Sequence, residues 1–339
     1  MTKGGSPAQL AVRLEALEVC VESARVDDRS VTLPDYPGGP RPSGVVLLSG
    51  WGVQGTGENV AFSESEQDRF RTYVARWFEE RAAGPRRALV GELSTEGSAY
   101  ERAALEAALI DLALRQAGLS LFDLTGVREA DLRFVVSLAA ERDPLAEMRR
   151  RRDAGYRGDF KVDVEPSWAP AMASALAKES GIAIFDFKGR ADAALARALY
   201  AACPGPIFED PPPDFEEPAH APGASRVSRD APILEPASVS VARARGEAVN
   251  LKAPRMGGPL NVLRGLERAL ESRASDEAVI AYLGGMFEVG VGRRQARQLA
   301  ALYCARAPND LALNVAEGGS TDPHAQSPAR VRFDRPGFG

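Results

Sequence analysis

Lysine and carboxylate side chains recur through the second half of this sequence at a spacing that, in a parallel-stranded fold, would gather them around a hard cation. Lys161 and Asp163 close one short apolar run, Asp186 and Lys188 the next, Glu209 a third, Asp230 a fourth and Lys252 a fifth. Asp230 follows Glu209 by 21 residues and precedes Lys252 by 22, intervals typical of one strand-plus-crossover repeat. If the runs are parallel strands of a barrel, their C-terminal ends converge on one mouth, where such folds build active sites. Three carboxylates from adjacent strands, Asp186, Glu209 and Asp230, with no histidine or cysteine among them, suit a hard cation such as Mg²⁺. Any one of these acids alone reads as the cap of the helix that follows; the set, with lysines on both sides, reads as a metal site. Glu235 is the fallback for the third ligand, and the repeat interval favours Asp230. A lysine serves as a base near neutral pH only when burial or a neighbouring positive charge lowers its pKa from about 10.4.

The elements that must position these groups follow from the apolar pattern. Candidate strands are Arg133–Leu138, Phe160–Val164, Ile182–Asp186, Pro206–Glu209, Arg226–Asp230, Ala248–Lys252, Val279–Gly284 and Leu311–Val315, with helical stretches between most of them. Residues 210–224, with five prolines, lack a helical pattern, so one crossover is irregular. Eight short strands over about 180 residues predict a (β/α) barrel. A doubly wound open sheet would bring a Gly-rich phosphate turn after its first strand, and none is present. The first 125 or so residues read as α+β. Strands are expected in Leu10–Ser23 and Gly44–Ser49, a Pro/Gly-rich loop in Thr32–Ser43, and a Gly-rich turn in Gly50–Glu58. Helices are expected from Ser63, with Phe70, Tyr73, Val74 and Trp77 on one face, and over Ser98–Gly118.

Composition narrows the rest. With 42 Lys+Arg against 47 Asp+Glu the net charge is −5, and without a block of like charge this excludes a nucleic-acid groove as the main business. Three scattered cysteines and the absence of a CxxC pair fit a reducing compartment without zinc. Neither a signal-peptide h-region nor 18 uninterrupted apolar residues is present, so a cytoplasmic protein with no membrane partner is expected. Only two histidines exist, His220 and His324, both in loop sequence, which argues against a histidine base.

Taken in order, the motifs resemble those of the enolase superfamily, in the mandelate racemase/muconate lactonizing enzyme group and closest to its muconate lactonizing enzyme and o-succinylbenzoate synthase branch. Gly55-Thr56-Gly57-Glu58 resembles the Gly-x-Gly-Glu turn of that family's N-terminal domain, and Tyr100–Leu114 its helix before the barrel. Ile184–Gly189 and Pro206–Pro212 resemble the strands bearing its first two metal ligands. Asn250–Gly258 is similar to its lysine-bearing sixth strand with the following Gly-Gly, and Gly284–Gly292 to the next strand end. The resemblance implies a modified TIM (β/α) barrel at 127–317, an N-terminal α+β capping domain at 1–126 carrying substrate-specificity loops, and an extended tail at 318–339. It also implies a lyase or isomerase that removes a proton α to a carboxylate. Mg²⁺, or Mn²⁺ in its place, at Asp186, Glu209 and Asp230 would stabilise an enediolate while lysines move the proton. The substrate would be a small-molecule carboxylate, and association into a homo-oligomer is left open.

Two departures bear on the chemistry. The family's Lys-x-Lys on the second strand is here Lys161-Val162-Asp163, so an aspartate stands where the acid/base lysine would be. Strand periodicity still points Asp163 into the mouth. Asp163 as base, Lys161 as base on a strand slipped by two positions, and loss or alteration of the ordinary reaction all remain open. Lys188 stands where the family has a small polar residue; it would neutralise the carboxylates and partly replace the metal, or contact substrate. Lys252 is the leading catalytic candidate, with Lys161 and Asp163 beside it, and Lys188, Trp51 and Glu288 are candidate substrate contacts. A lone lysine on one face favours one-base β-elimination over two-base epimerisation. The alternative is a diverged, non-catalytic member that binds a small carboxylate or a partner.

Overall fold

A computed structural model describes residues 5–31, 40–82, 87–92, 96–138, 143–218, 225–271, 279–312 and 326–339. The chain opens with helix α1 (Pro7–Glu15), not the strand expected there. Ser6 and Gln9 form a reciprocal capping box, Pro7 pre-sets the first turn, and Leu10, Ala11 and Leu14 bury one helical face. These signals outweigh the alternation, of which only β1 (Glu18–Cys20) survives as a strand. Strands β2 (Ser23–Val31), β3 (Arg41–Gly50) and β4 (Val53–Asn59) form an antiparallel sheet in the order β2-β3-β4. Most of the Pro/Gly-rich loop expected at Thr32–Ser43 falls outside the described residues, and its last residues belong to β3.

The sheet packs on helix α2 (Glu64–Ala82) and on α3 (Ala99–Ala117); β5 (Arg87–Leu89) between these helices pairs with β1. Ser98 and Glu101 cap α3 reciprocally and Gly118 ends it in the left-handed conformation. From Ala103 to Leu114 nearly every α3 residue is buried, because the helix lies between the antiparallel sheet and the barrel. Gly55 and Gly57 belong to β4 and not to a turn, and close packing is the reason. A Cβ on Gly57 would lie 1.9 Å from the Ala104 carbonyl oxygen, and one on Gly55 2.3 Å from the Leu112 amide nitrogen. The glycines let strand and helix backbones touch. Glu58, next in line, accepts hydrogen bonds from the N–H groups of Val289 (2.6 Å), Gly290 (3.2 Å) and Gly292 (2.9 Å), which ties β4 to the barrel.

After α4 (Leu121–Thr125), β6 (Glu129–Leu132) leads into the parallel strands. These are β7 (Val135–Leu138), β8 (Asp159–Asp163), β9 (Ile182–Asp186), β10 (Ile207–Glu209), β11 (Val227–Arg229), β12 (Ala248–Leu251) and β13 (Ala281–Leu283), hydrogen-bonded in sequence order. The crossovers contain helices α5 (Pro144–Asp153), α6 (Pro170–Leu176), α7 (Ala193–Ala202), α8 (Pro236–Ala244), α9 (Ala253–Met256) and α10 (Pro259–Glu271). Helix α11 (Val291–Tyr303) follows β13. Among the described residues no helix lies between β10 and β11, as the prolines there predict.

The eighth strand expected at Leu311–Val315 is replaced by two bridge residues just ahead of it. Asn309 bridges to Phe134 and Asp310 to Gly284, both parallel, which joins the two edges of the sheet into a barrel; 313–315 lie outside the described residues. The Asn309 side chain takes the place of a longer ladder, donating to the carbonyls of Arg133, Cys304 and Ala307 and accepting from the Leu283 N–H. Strand β14 (Ala329–Arg332) then pairs antiparallel with β6. The fold is a modified (β/α) barrel with an N-terminal α+β capping domain. Among the described residues no helix is long and apolar enough to cross a membrane.

One buried acid makes the union of α3 with the barrel pH-sensitive. Glu106 on α3 accepts the Leu260 N–H in the first turn of α10 at 2.8 Å, and burial pushes its carboxyl up to about 7. Folding therefore favours the protonated acid. Its contribution to stability is complete below about pH 4.5 and is lost as pH rises through about 7, a change of about 3 kcal/mol. Urea unfolding at about pH 5 and about pH 8 should show this decline in the wild type and a flatter profile in Glu106→Gln. Equal slopes in the two proteins would refute the assignment.

Candidate active site

Register brings the acids level. Asp163 pairs with Asp186, Asp186 with Glu209, and Glu209 with Ser228, so neighbouring strands end in one row at the mouth. Lys161 lies two residues before Asp163 and shares its face of β8. A one-residue irregularity between β8 and β9 falls ahead of Lys161, so Lys161 is not slipped into the place of Asp163. Its Nζ lies 2.9 Å from Asp186 Oδ2 and 3.3 Å from Asp310 Oδ2, and donates to Glu209 Oε1. Ser137 Oγ donates to the other Asp310 oxygen at 2.7 Å. The ammonium thus sits among three carboxylates, with the Lys161 residue only 3 % exposed.

Glu209 is fully buried and its second oxygen is also engaged. Tyr282 OH donates to Oε2, and so does Asn250 Nδ2 at 3.1 Å. Tyr282 has one proton and spends it on Glu209, so Ser228 Oγ, 2.7 Å away, donates to the tyrosine oxygen.

Lys188 adopts a left-handed backbone (φ +49°), an uncommon state for a non-glycine residue. That geometry folds the residue over Asp186. Its N–H reaches Oδ1 at 3.0 Å and its Nζ reaches Oδ2 at 2.8 Å, with Asp163 Oδ1 at 3.1 Å. On the far side of the mouth, Lys252 follows β12 directly and its Nζ donates to Asp230 Oδ2 at 2.8 Å. Arg255 Nη1 donates to Asp230 Oδ1 at 2.6 Å and to the Asp230 carbonyl at 2.8 Å. Asp210, itself left-handed (φ +42°), accepts the N–H groups of Asp230 and Ala231 at 3.1 and 2.8 Å, which orients the turn that presents Asp230.

Electrostatics follows from this wiring. Burial alone would raise the Asp186 carboxyl, but Lys161 and Lys188 hold it well below the usual range. Burial alone would lower Lys161, and Asp186, Glu209 and Asp310 overcome that and raise it well above an ordinary lysine. Lys188 is likewise raised, against burial, by Asp186 and Asp163. Both ammonium groups are charged at neutral pH. Asp163 is shifted up by burial, in spite of Lys188.

Asp186, Glu209 and Asp230 stand at or just past the ends of neighbouring strands, and all six of their carboxylate oxygens already accept from protein donors. Among the described residues no group of three His, Cys, Asp or Glu is arranged to hold a metal ion. In this arrangement the residues do not fit a divalent cation, because a cation between Asp186 and Glu209 meets the Lys161 ammonium. Glu235 is exposed at the start of α8 and takes no part in the network.

Two of the expected substrate contacts lie elsewhere. Trp51 is half-exposed at the β3–β4 turn (φ +54°), at the opposite end of β4 from Asn59. Its neighbour Gly50 packs beside Cys20 and Gln116, near the C-terminal end of α3, and the mouth lies toward the N-terminal end. Glu288 is buried and turns to the Met286 N–H and to Arg293, 3.3 Å away. A cavity of about 300 Å³ does adjoin the network, between the capping domain and the barrel. Its walls include Asn59, Glu66, Arg69, Tyr100, Leu234 and Arg255.

The model of a family described as "Domain of unknown function (DUF8230) C-terminal domain" matches residues 128–316, more than half of the chain. The chain belongs to that family. The fold of this DUF8230 protein is the enolase-superfamily fold, as three solved structures illustrate. A dipeptide epimerase from Enterococcus faecalis V583 is 15% identical, with 94% of this chain and 99% of that one covered at a TM-score of 0.69. Muconate lactonizing enzyme from Pseudomonas fluorescens, complexed with muconolactone, is 18% identical over 86% and 88%, with a TM-score of 0.66. An enolase-superfamily member of unknown role from Enterococcus faecalis V583 is 19% identical over 86% of each chain, again at 0.66. No curated protein matches.

Several groups of the site were given no role from the sequence. Asn250 and Ser228 precede Lys252 and Asp230 by two residues, so strand alternation alone would have found them. Tyr282 lies within a fully buried strand and reads as core. Asp310 sits in a two-residue bridge too short to carry a strand signal.

Proposed function

We propose that this protein is a lyase or isomerase that removes a proton α to the carboxylate of a small acid, most simply by one-base β-elimination. One observation carries the reading: on the enolase-superfamily fold, Lys252 is held by Asp230 at a mouth that also gathers Lys161, Lys188 and Arg255. Lys252 takes the α-proton, and the electron pair left on carbon spreads onto the substrate carboxylate as an enediolate. Cationic side chains preorganised around the mouth stabilise that charge without rearranging. As the enediolate collapses, the β C–O bond breaks and the Lys252 ammonium returns its proton to the departing hydroxide. The products are water and an unsaturated acid. The cavity beside Arg255, lined also by Arg69, Glu66 and Glu101, offers room for a small molecule. Mg²⁺, implied by the sequence resemblance, has no free donor set in this arrangement, and side-chain cations meet the developing charge in its place.

The test is hydrogen–deuterium exchange. The full-length protein in D₂O, offered a panel of β-hydroxy and β,γ-unsaturated carboxylic acids, should wash out α-protons or release an unsaturated product by proton NMR. Absence of exchange across the panel would overturn the reading in favour of binding without turnover. Asp163→Asn should keep activity within about tenfold, since Lys252 moves the proton; a loss beyond about a hundredfold would transfer that role to Asp163.

A further inference from the structure

We propose that Lys161 is the resident cation of this site, its ammonium taking the position between Asp186 and Glu209 so that the protein works without a divalent metal. Three independent contacts define that position. Asp186, Glu209 and Asp310 come from three different staves of the barrel and all meet at the Lys161 Nζ. A bound divalent ion needs carboxylate oxygens free to face it, and Glu209 has none: Lys161 occupies one oxygen, Tyr282 and Asn250 the other. Such donors are what a buried carboxylate needs when its counter-charge is an ammonium, since each remaining lone pair must be satisfied in a site closed to water. Asp310 adds a second line of evidence. It brings a further negative charge to Lys161 and is itself held by Ser137, so the ammonium is locked in place and not merely adjacent.

A fixed ammonium does part of what a metal would do. It sets one positive charge beside the developing enediolate, with no requirement for ion uptake or release. Lys161 is accordingly a positioning and charge-supplying residue, and the proton itself belongs to Lys252. The inference extends the lyase or isomerase reading, yet its test does not depend on turnover.

Titrating the full-length wild-type protein with MgCl₂ and with MnCl₂ by calorimetry should give no saturable heat up to millimolar concentration. Its melting temperature should be equal in chelator and in Mg²⁺. Lys161→Gln removes the ammonium and leaves three acids facing one another, so this variant should melt lower in chelator and recover several degrees on adding Mg²⁺ or Mn²⁺. One-to-one binding of either ion by the wild type with a micromolar Kd would overturn the proposal, whether or not the variant folds. A Lys161→Gln protein that melts at the wild-type temperature in chelator would overturn it too. Metal binding with intact α-proton exchange would sink this inference alone; exchange lost with no metal bound would sink the functional reading alone.

Discussion

Lys252→Ala will lower the rate of α-proton exchange by about a thousandfold while leaving the melting temperature within a few degrees of wild type. The size follows from what a positioned acid–base group contributes, about 10²–10⁴ in rate. The small stability cost follows from the neighbourhood. When the lysine leaves, Asp230 keeps the Arg255 guanidinium on its other oxygen, and the turn carrying it keeps both N–H bonds to Asp210. Lys252→Arg should not restore the rate, because a guanidinium holds its proton throughout the usable pH range. Exchange measured by NMR beside a thermal melt separates lost chemistry from lost fold. Activity retained in Lys252→Ala would show that another group moves the proton.

Gly57→Ala will cost more than about 4 kcal/mol of stability, a large loss for a single methyl group. The new Cβ would stand 1.9 Å from the Ala104 carbonyl oxygen and 2.9 Å from the Ala108 nitrogen. Both are backbone atoms of the buried helix α3, so no side-chain rotation relieves the clash and Ala104→Gly cannot rescue it. Chemical unfolding, or the soluble fraction on expression, reads the effect. The opposite control is Gly52→Ala in the β3–β4 turn. A Cβ there meets nothing within 4 Å, and the only cost is the left-handed backbone (φ +75°). A melt of Gly57→Ala within two degrees of wild type would refute the packing account.

The barrel was legible because the staves from β8 to β12 repeat a short apolar run ended or followed by a charged residue; the bounds of Ile182–Asp186 even match the observed strand residue for residue. The mouth was legible because Asp186, Glu209, Asp230 and Lys252 sit at or just past those ends, where connectivity alone forces them together. What stayed hidden depends on side-chain reach. Lys161 and Lys188 stand near Asp186 in any reading of the sequence, but which ammonium takes the centre depends on Asp310, a residue from the last and weakest stave. Trp51 was a candidate substrate contact because the resembled family's capping domain covers the mouth there. The direction in which β4 runs along α3 carries it to the other end, and pattern does not encode that direction. The α1 region failed because two residues of helix capping outweigh a dozen of alternation.

The two-residue seam at Asn309–Asp310 has a consequence for assembly. Because Asp310 both bridges to Gly284 and meets the Lys161 ammonium, the last stitch of the cylinder is also the one that brings the third carboxylate to its centre. A ring left ajar would leave that ammonium with Asp186 and Glu209 alone and without its tie to the final strand. Shape and reactivity are thereby sealed by the same aspartate, and a chain that has not finished folding has not yet made its site.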